Sequence, residues 1–318
     1  SRTGEQGYTP FRHSTTWVNF AYGTKWRPGV FVGYTKNLGT GKSLVSADKV
    51  YGMGLDIDQL ITVSLNVSYN LPHWKFGFEY CPATAYYGTT DLESGRIEQT
   101  HAITNHRILG LMMCYFKDRL TGMEMKRNLL LLIGLCMAVC VQAQKKNFSY
   151  KFYGQVRGDL FYNSRANAEI VDGLFHLYPK DVALDADGKD LNASPNGSFY
   201  LLYSRLGIDV QGPKVGSAKT SLKLEADFRG SGSNWAVLRI RHAYVNLDWG
   251  KSAVLIGQTW HPLFGEVFPQ MLNLSTGAPF QPFNRSPQIR YRYTDNGWQL
   301  TGSVLWQLQY LSAGPNGK

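Results

Sequence analysis

The chain has 318 residues, long for one ordinary domain and sufficient for one large barrel or two modest domains. Charged residues are only 18% and aromatics reach 14%, with 19 Tyr, 16 Phe and 33 Gly, which excludes a disordered chain and a helical bundle and favours sheet. The 4 Cys lack metal-like spacing and exclude a small disulfide-stapled scaffold, while the net charge of +10 leaves nucleic acid, an anionic membrane surface and anionic solutes open as partners.

Period-two alternation, the mark of half-buried strands, begins early. Val18, Phe20 and Tyr22 alternate with Asn19 and Ala21, and Val30, Val32 and Tyr34 follow a short turn expected at Lys25–Gly29. A long polar loop then runs from Leu38 to Asp58; its LGTGKS (Leu38–Ser43) lacks the spacing of a phosphate-binding loop. The cleanest strand sets Ile61, Val63, Leu65, Val67 and Tyr69 against Thr62, Ser64, Asn66 and Ser68. After the turn Asn70–His73, Trp74, Phe76, Phe78 and Tyr80 alternate with Lys75, Gly77, Glu79 and Cys81, forming a hairpin with aromatics at both ends of its apolar stripe. A further strand, Ile108, Gly110, Met112, Cys114 and Phe116, finishes on an aromatic, as bacterial outer-membrane barrels do.

The next segment, MKRNLLLLIGLCMAVCVQAQ (Met125–Gln144), reads as a secretory signal. Lys126 and Arg127 form its basic start, Leu129–Val141 its apolar run, and Val141 and Ala143 the small residues before a cleavage site after Ala143. The run is too short for the roughly 20 residues of a membrane-spanning helix. A buried core helix is the bland alternative, and Val139 before Cys140 makes a poor lipoprotein signal. Signal peptides begin chains, so its position implies the tail of one exported protein joined to the head of another. The expected parts are 1–116 with carboxy-terminal-type barrel strands, 117–144 as linker and signal-like segment, and 145–318 with amino-terminal-type strands.

Alternation then resumes. Tyr150, Phe152, Val156, Leu160 and Tyr162 oppose Lys151, Gln155, Arg157 and Asp159; Tyr200, Leu202, Leu206, Ile208 and Val210 oppose Arg205 and Asp209. Leu222, Leu224, Ala226 and Phe228 oppose Lys223, Glu225 and Asp227, and further strands are expected over 238–248, 253–259, 288–293 and 298–308. Short turns alternate with long loops at Ser164–Gly197 and His261–Ser286, the pattern of a transmembrane barrel. A soluble sandwich also alternates. Its packed core would not accept the full charges on the polar parity, whereas a watery lumen does. The expected fold is therefore all-β: a transmembrane antiparallel β-barrel, porin-like, incomplete or permuted, with one short signal-peptide-like helix in the middle.

YGQVRGDLFYNSR (Tyr153–Arg165), SRLGIDVQGP (Ser204–Pro213), LKLEADFRG (Leu222–Gly230), RIRHAYVNLDWG (Arg239–Gly250) and LIGQTWHPL (Leu255–Leu263) together resemble the amino-terminal half of DcaP-like trimeric outer-membrane porins. The stretch from about Trp17 to Phe116 is similar to the carboxy-terminal half of such a barrel. The resemblance implies a homotrimer of roughly sixteen-stranded barrels in the outer membrane, each with a basic lumen that passes small anionic solutes. Here the halves stand in reversed order around the signal-like segment, and the family's coiled-coil start is not found after Gln144.

On parity, Arg157, Arg205, Lys223, Arg239, Arg241, Arg290 and Arg292 line the pore, where guanidinium groups attract carboxylates or phosphates. Arg239 and Arg241 are expected inward against Leu238 and Ile240, and Arg290 and Arg292 inward against Ile289, Tyr291 and Tyr293. Glu225, Asp227, Asp159 and Asp209 share those strands, so part of this charge is cross-strand pairing in the wall. The loop His261–Ser286, rich in Pro and Phe, either folds inward as a constriction, packs on a neighbouring subunit or lies on the surface. His242 falls on the lipid-side parity, and no nucleophile elbow accompanies it, so a membrane-embedded hydrolase is a distant third reading. The dispersed basic residues do not form a nucleic-acid surface. The reading is a passive porin for small anionic solutes, without enzymatic chemistry or cofactor; the runner-up is a non-conducting structural or adhesive barrel, or a gene-fusion fragment without a closed pore.

Overall fold

A computed structural model describes residues 7–47, 50–120, 148–170, 175–229, 237–264, 269–273, 280 and 283–307. The alternating stretches become antiparallel strands. They are β1 (Phe11–Ala21), β2 (Trp26–Thr40), β3 (Ile57–Asn70), β4 (Trp74–Thr90), β5 (Ile97–Leu120), β6 (Ser149–Asn163), β7 (Asn167–Ile170) and β8 (Phe175–Pro179). The rest are β9 (Asn196–Tyr200), β10 (Arg205–Gln211), β11 (Lys219–Asp227), β12 (Arg239–Asp248), β13 (Ser252–Trp260), β14 (Arg285–Asp295) and β15 (Trp298–Leu305). One sheet runs β1-β2-β3-β4-β5-β6-β10-β11-β12-β13-β14-β15, with β9 also paired to β6, and β7-β8 form a separate hairpin. Among the described residues β1 and β15 do not pair with each other, so the sheet is open there. The signal-like segment 125–144 and its expected helix lie outside the described residues.

The two faces are inverted relative to a soluble protein. Glu79, Asn105, Arg107 and Asp159 are 0% exposed, while Val18 and Phe20 are 67% exposed. Along β6, Val156, Leu160 and Tyr162 point out and Arg157, Asp159 and Phe161 point in; along β14, Ile289 and Tyr291 point out. Apolar outside and polar inside is the arrangement of a barrel wall in lipid, where each strand's backbone polar groups must be met by its neighbours.

Three sequence expectations shift. The first turn is Tyr22–Lys25, starting three and ending four residues earlier than expected, because Trp26 already pairs with Tyr69 and Ala21 with Gly29. The segment after Tyr200 is not one continuous strand: Asp159 pairs with Tyr200 and Gln155 with Arg205, so 156–158 on β6 oppose the longer run 201–204. The extra residue turns Leu202 and Tyr203 inward onto Leu109, Leu111, Met113 and Phe161, an apolar cluster on the inner side of β5 and β6. The loop after β6 has structure of its own. Asp190 accepts Ala183 N–H at 3.0 Å, Asn192 N–H at 3.0 Å and Arg165 Nη2 at 3.1 Å, and these bonds, the Ala183 one foremost, hold its carboxyl below the usual range.

Candidate functional site

The inner faces of β6, β10, β11 and β12 carry a lattice of charge. Register aligns Asp209 with both Lys151 and Lys223, and Asp227 with both Arg205 and Arg239. Lys223 Nζ donates to Asp209 at 2.9 Å, and Arg239 grips Asp227 with Nε at 3.0 Å and Nη2 at 2.8 Å. Arg241 bridges two carboxylates, donating from Nε to Glu225 at 2.6 Å and from Nη1 to Asp227 at 2.9 Å. Arg205 Nε lies 3.5 Å from Glu225, and Tyr153 Oη donates to the other Glu225 oxygen at 2.8 Å. On β6, Arg157 forms a fork on Asp159, with Nη2 at 2.7 Å. Planar forks of this kind fix both partners' geometry as well as their charge.

A β-bulge decides where His242 goes. Glu225 pairs with His242 but Ala226 pairs with Ile240, so Arg241 is the extra residue on β12. Simple alternation places His242 on the lipid side; the bulge resets the parity and brings Arg241 and His242 to the same inner face. His242 is buried there, its Nδ1 2.9 Å from Thr259 Oγ1 and its ring edge-on to Trp260.

The loop between β13 and β14 folds inward. Leu272 N–H donates to Glu79 at 2.6 Å and Asn273 N–H at 3.2 Å, so a carboxylate on β4 clasps the loop backbone. Arg157 Nη2 donates to Leu272 O at 2.7 Å, and Gln270 N–H reaches Asn19 Oδ1 on β1 at 2.8 Å. Phe280 packs on Phe31 at a ring separation of 5.8 Å. Two glycines make room: a Cβ on Gly33 would lie 2.6 Å from the Phe280 ring, and one on Gly77 would collide with Leu272. Of the three expected placements for this loop, the inward one holds for its described residues.

Of the seven expected pore residues, Arg157, Arg205, Lys223, Arg239 and Arg241 meet in the lattice. Arg290 stands apart, donating to Gln288 Oε1 at 2.7 Å and to Trp260 O at 2.6 Å. Arg292 is exposed on the inner side of β14, opposite Ala253. Two further arginines join the lattice. Arg229 donates to the Tyr203 hydroxyl, and the Arg285 guanidinium stacks 3.7 Å from the centre of the Trp260 ring. Arg229 continues the parity of Lys223, Glu225 and Asp227 and was legible on that ground. Arg285 sits at the mouth of the loop, where alternation carries no information.

A sequence model of the DcaP outer membrane protein family matches residues 139–302, which is 164 of the 318 residues. The chain belongs to the DcaP outer membrane protein family. No curated protein and no solved structure matches it. The match takes in β6 to β14 and most of β15, so both the charge lattice and the inward loop lie inside the DcaP region, whereas β1–β5 lie before it. As a DcaP-family protein this is a porin-like protein of the outer membrane, and the inverted sheet is wall material for a β-barrel.

Proposed function

We propose that this DcaP-family protein is a passive pore for small anionic solutes, with no turnover chemistry. One observation carries the reading: among the described residues of the lattice, Lys151, Arg157, Arg205, Lys223, Arg229, Arg239, Arg241 and Arg285 stand around Asp159, Asp209, Glu225 and Asp227, eight cations to four carboxylates. The carboxylates hold the guanidinium groups in place, and the excess positive charge is the part a passing carboxylate or phosphate meets. Aromatic faces at Trp260, Tyr203 and Phe283 flank the same groups. The working form is a homotrimer in outer-membrane lipid, exported by the segment ending at Ala143. Replacing Arg239, Arg241, Arg290 and Arg292 together with Gln is expected to move the zero-current potential toward cations in a salt gradient, most strongly at low salt. An unchanged potential would reduce these arginines to wall charges.

A second reading, a non-conducting structural barrel, draws support from the loop clasped by Glu79 and Arg157 across the inner face. Single-channel recording in planar bilayers separates the two, since a folded trimer without current belongs to the second.

A further inference from the structure

We propose that residues 7–120 and 148–307 are complementary pieces of one wall, and that their assembly does not depend on the covalent link between them. The seam is the pairing of β5 with β6. It runs in register through fourteen residue pairs, from Arg107 opposite Asn163 to Leu120 opposite Tyr150. A ladder of that length leaves neither strand with an open edge along the seam, which is the condition for either to sit in a bilayer.

Side chains lock the register at the far end of the seam. Arg107 Nη1 donates to Asn163 Oδ1 at 3.1 Å, with its guanidinium 4.2 Å from the Phe161 ring centre. Asn105 Nδ2 reaches the same Asn163 oxygen at 3.3 Å, and Ser164 and His106 exchange two bonds, at 2.9 and 3.1 Å. A slip by one residue would turn Arg107 toward lipid, so the pairing is specified rather than opportunistic.

Two further contacts tie the pieces far from the seam. The loop of the second piece lies on the first through Glu79, Asn19 and Phe31. The end of β8 and the polar segment after it meet the first piece where Tyr87 Oη donates to Pro179 O at 2.6 Å and His101 Nε2 lies 2.6 Å from Asp181. The pieces therefore engage at three separate places. A cut between them, such as export processing after Ala143 would make, leaves each as the other's partner.

The test uses the full chain with a site-specific protease sequence inserted after Leu120, folded in detergent and then cut to completion. The expected result is two fragments that elute together and migrate as one unheated band, separating only on boiling. Fragments that part in mild detergent, while the uncut chain stays folded, would overturn the proposal. Should the insertion prevent folding, the protease sequence is placed after Gln144 instead, in a chain carrying Met112→Cys and Gly158→Cys, which face each other in the seam and are oxidised in membranes after the cut. That pair is expected to cross-link and Met112→Cys with Leu206→Cys is not; no cross-link in the first pair would equally overturn it. Neither readout depends on ion conduction.

Discussion

The inner faces of two regions of the sheet, β2–β4 and β10–β12, solve the same problem differently. On β2 and β3 most inward polar residues are neutral, namely Asn37, Thr62, Ser64 and Ser68, and the one buried carboxylate there, Asp58, is held by Lys36 at 2.6 Å. The single fully buried carboxylate of β4, Glu79, is spent on the loop backbone. On β10, β11 and β12 the inward residues are ion pairs, with Arg205, Lys223, Arg239 and Arg241 set against Asp209, Glu225 and Asp227. A neutral wall can seat a folded loop because its groups ask for few fixed partners. A charged wall must pair most of its groups, and what it leaves over sets the sign of the field.

This contrast can be broken, beginning with the charged wall. Asp227→Asn removes the negative charge shared by Arg239 and Arg241 and leaves one neutral amide oxygen where both guanidinium groups met a carboxylate. The expected loss is about 3 to 5 kcal/mol, read as a lower heat-dissociation temperature on gels. Next comes the outer side of the same wall. Ile256, half-exposed on β13, faces lipid, and Ile256→Arg is expected to cost about 2 to 4 kcal/mol in folding into vesicles. If it folded as well as the parent, the parity of β13 would be reversed.

On the neutral wall, Glu79→Gln weakens two charge-assisted bonds to the loop. About 1.5 to 3 kcal/mol of loop seating is lost, and open-channel current is expected to become noisier and larger. Gly77→Ala, which inserts a methyl where Leu272 lies, should act in the same direction without touching charge. Identical current traces from both variants and the parent would separate the loop from conduction. The smallest effect belongs to the rim pair Lys251–Asp295, at 2.8 Å with the lysine 68% exposed; Lys251→Ala is expected to change stability by less than about 1 kcal/mol.

Much of this was legible in the residues. The strand faces of β3, β6, β11 and β14 follow from alternation, since a pleated backbone sends neighbours to opposite sides. The inward direction of Arg239, Arg290 and Arg292 follows from the cost of charge in lipid. His242 was misassigned because a bulge leaves no mark in composition: the extra residue at Arg241 exists only by comparison with its partner on β11. The break at 201–204 escaped notice for the same reason, since it is a mismatch in length between two strands.

The class of wall and the parity that puts arginine inside are local consequences of alternation and of the cost of charge in hydrocarbon, while the outer-membrane setting follows from the likeness of 153–263 to DcaP proteins. The inward turn of the loop onto Glu79, the seat of Arg285 on Trp260 and the pairing of β5 with β6 across the segment between them are written in no single stretch of chain. Those contacts join residues from 25 to 251 positions apart, and such distances are set by the curl and register of the whole sheet rather than by any stretch of it.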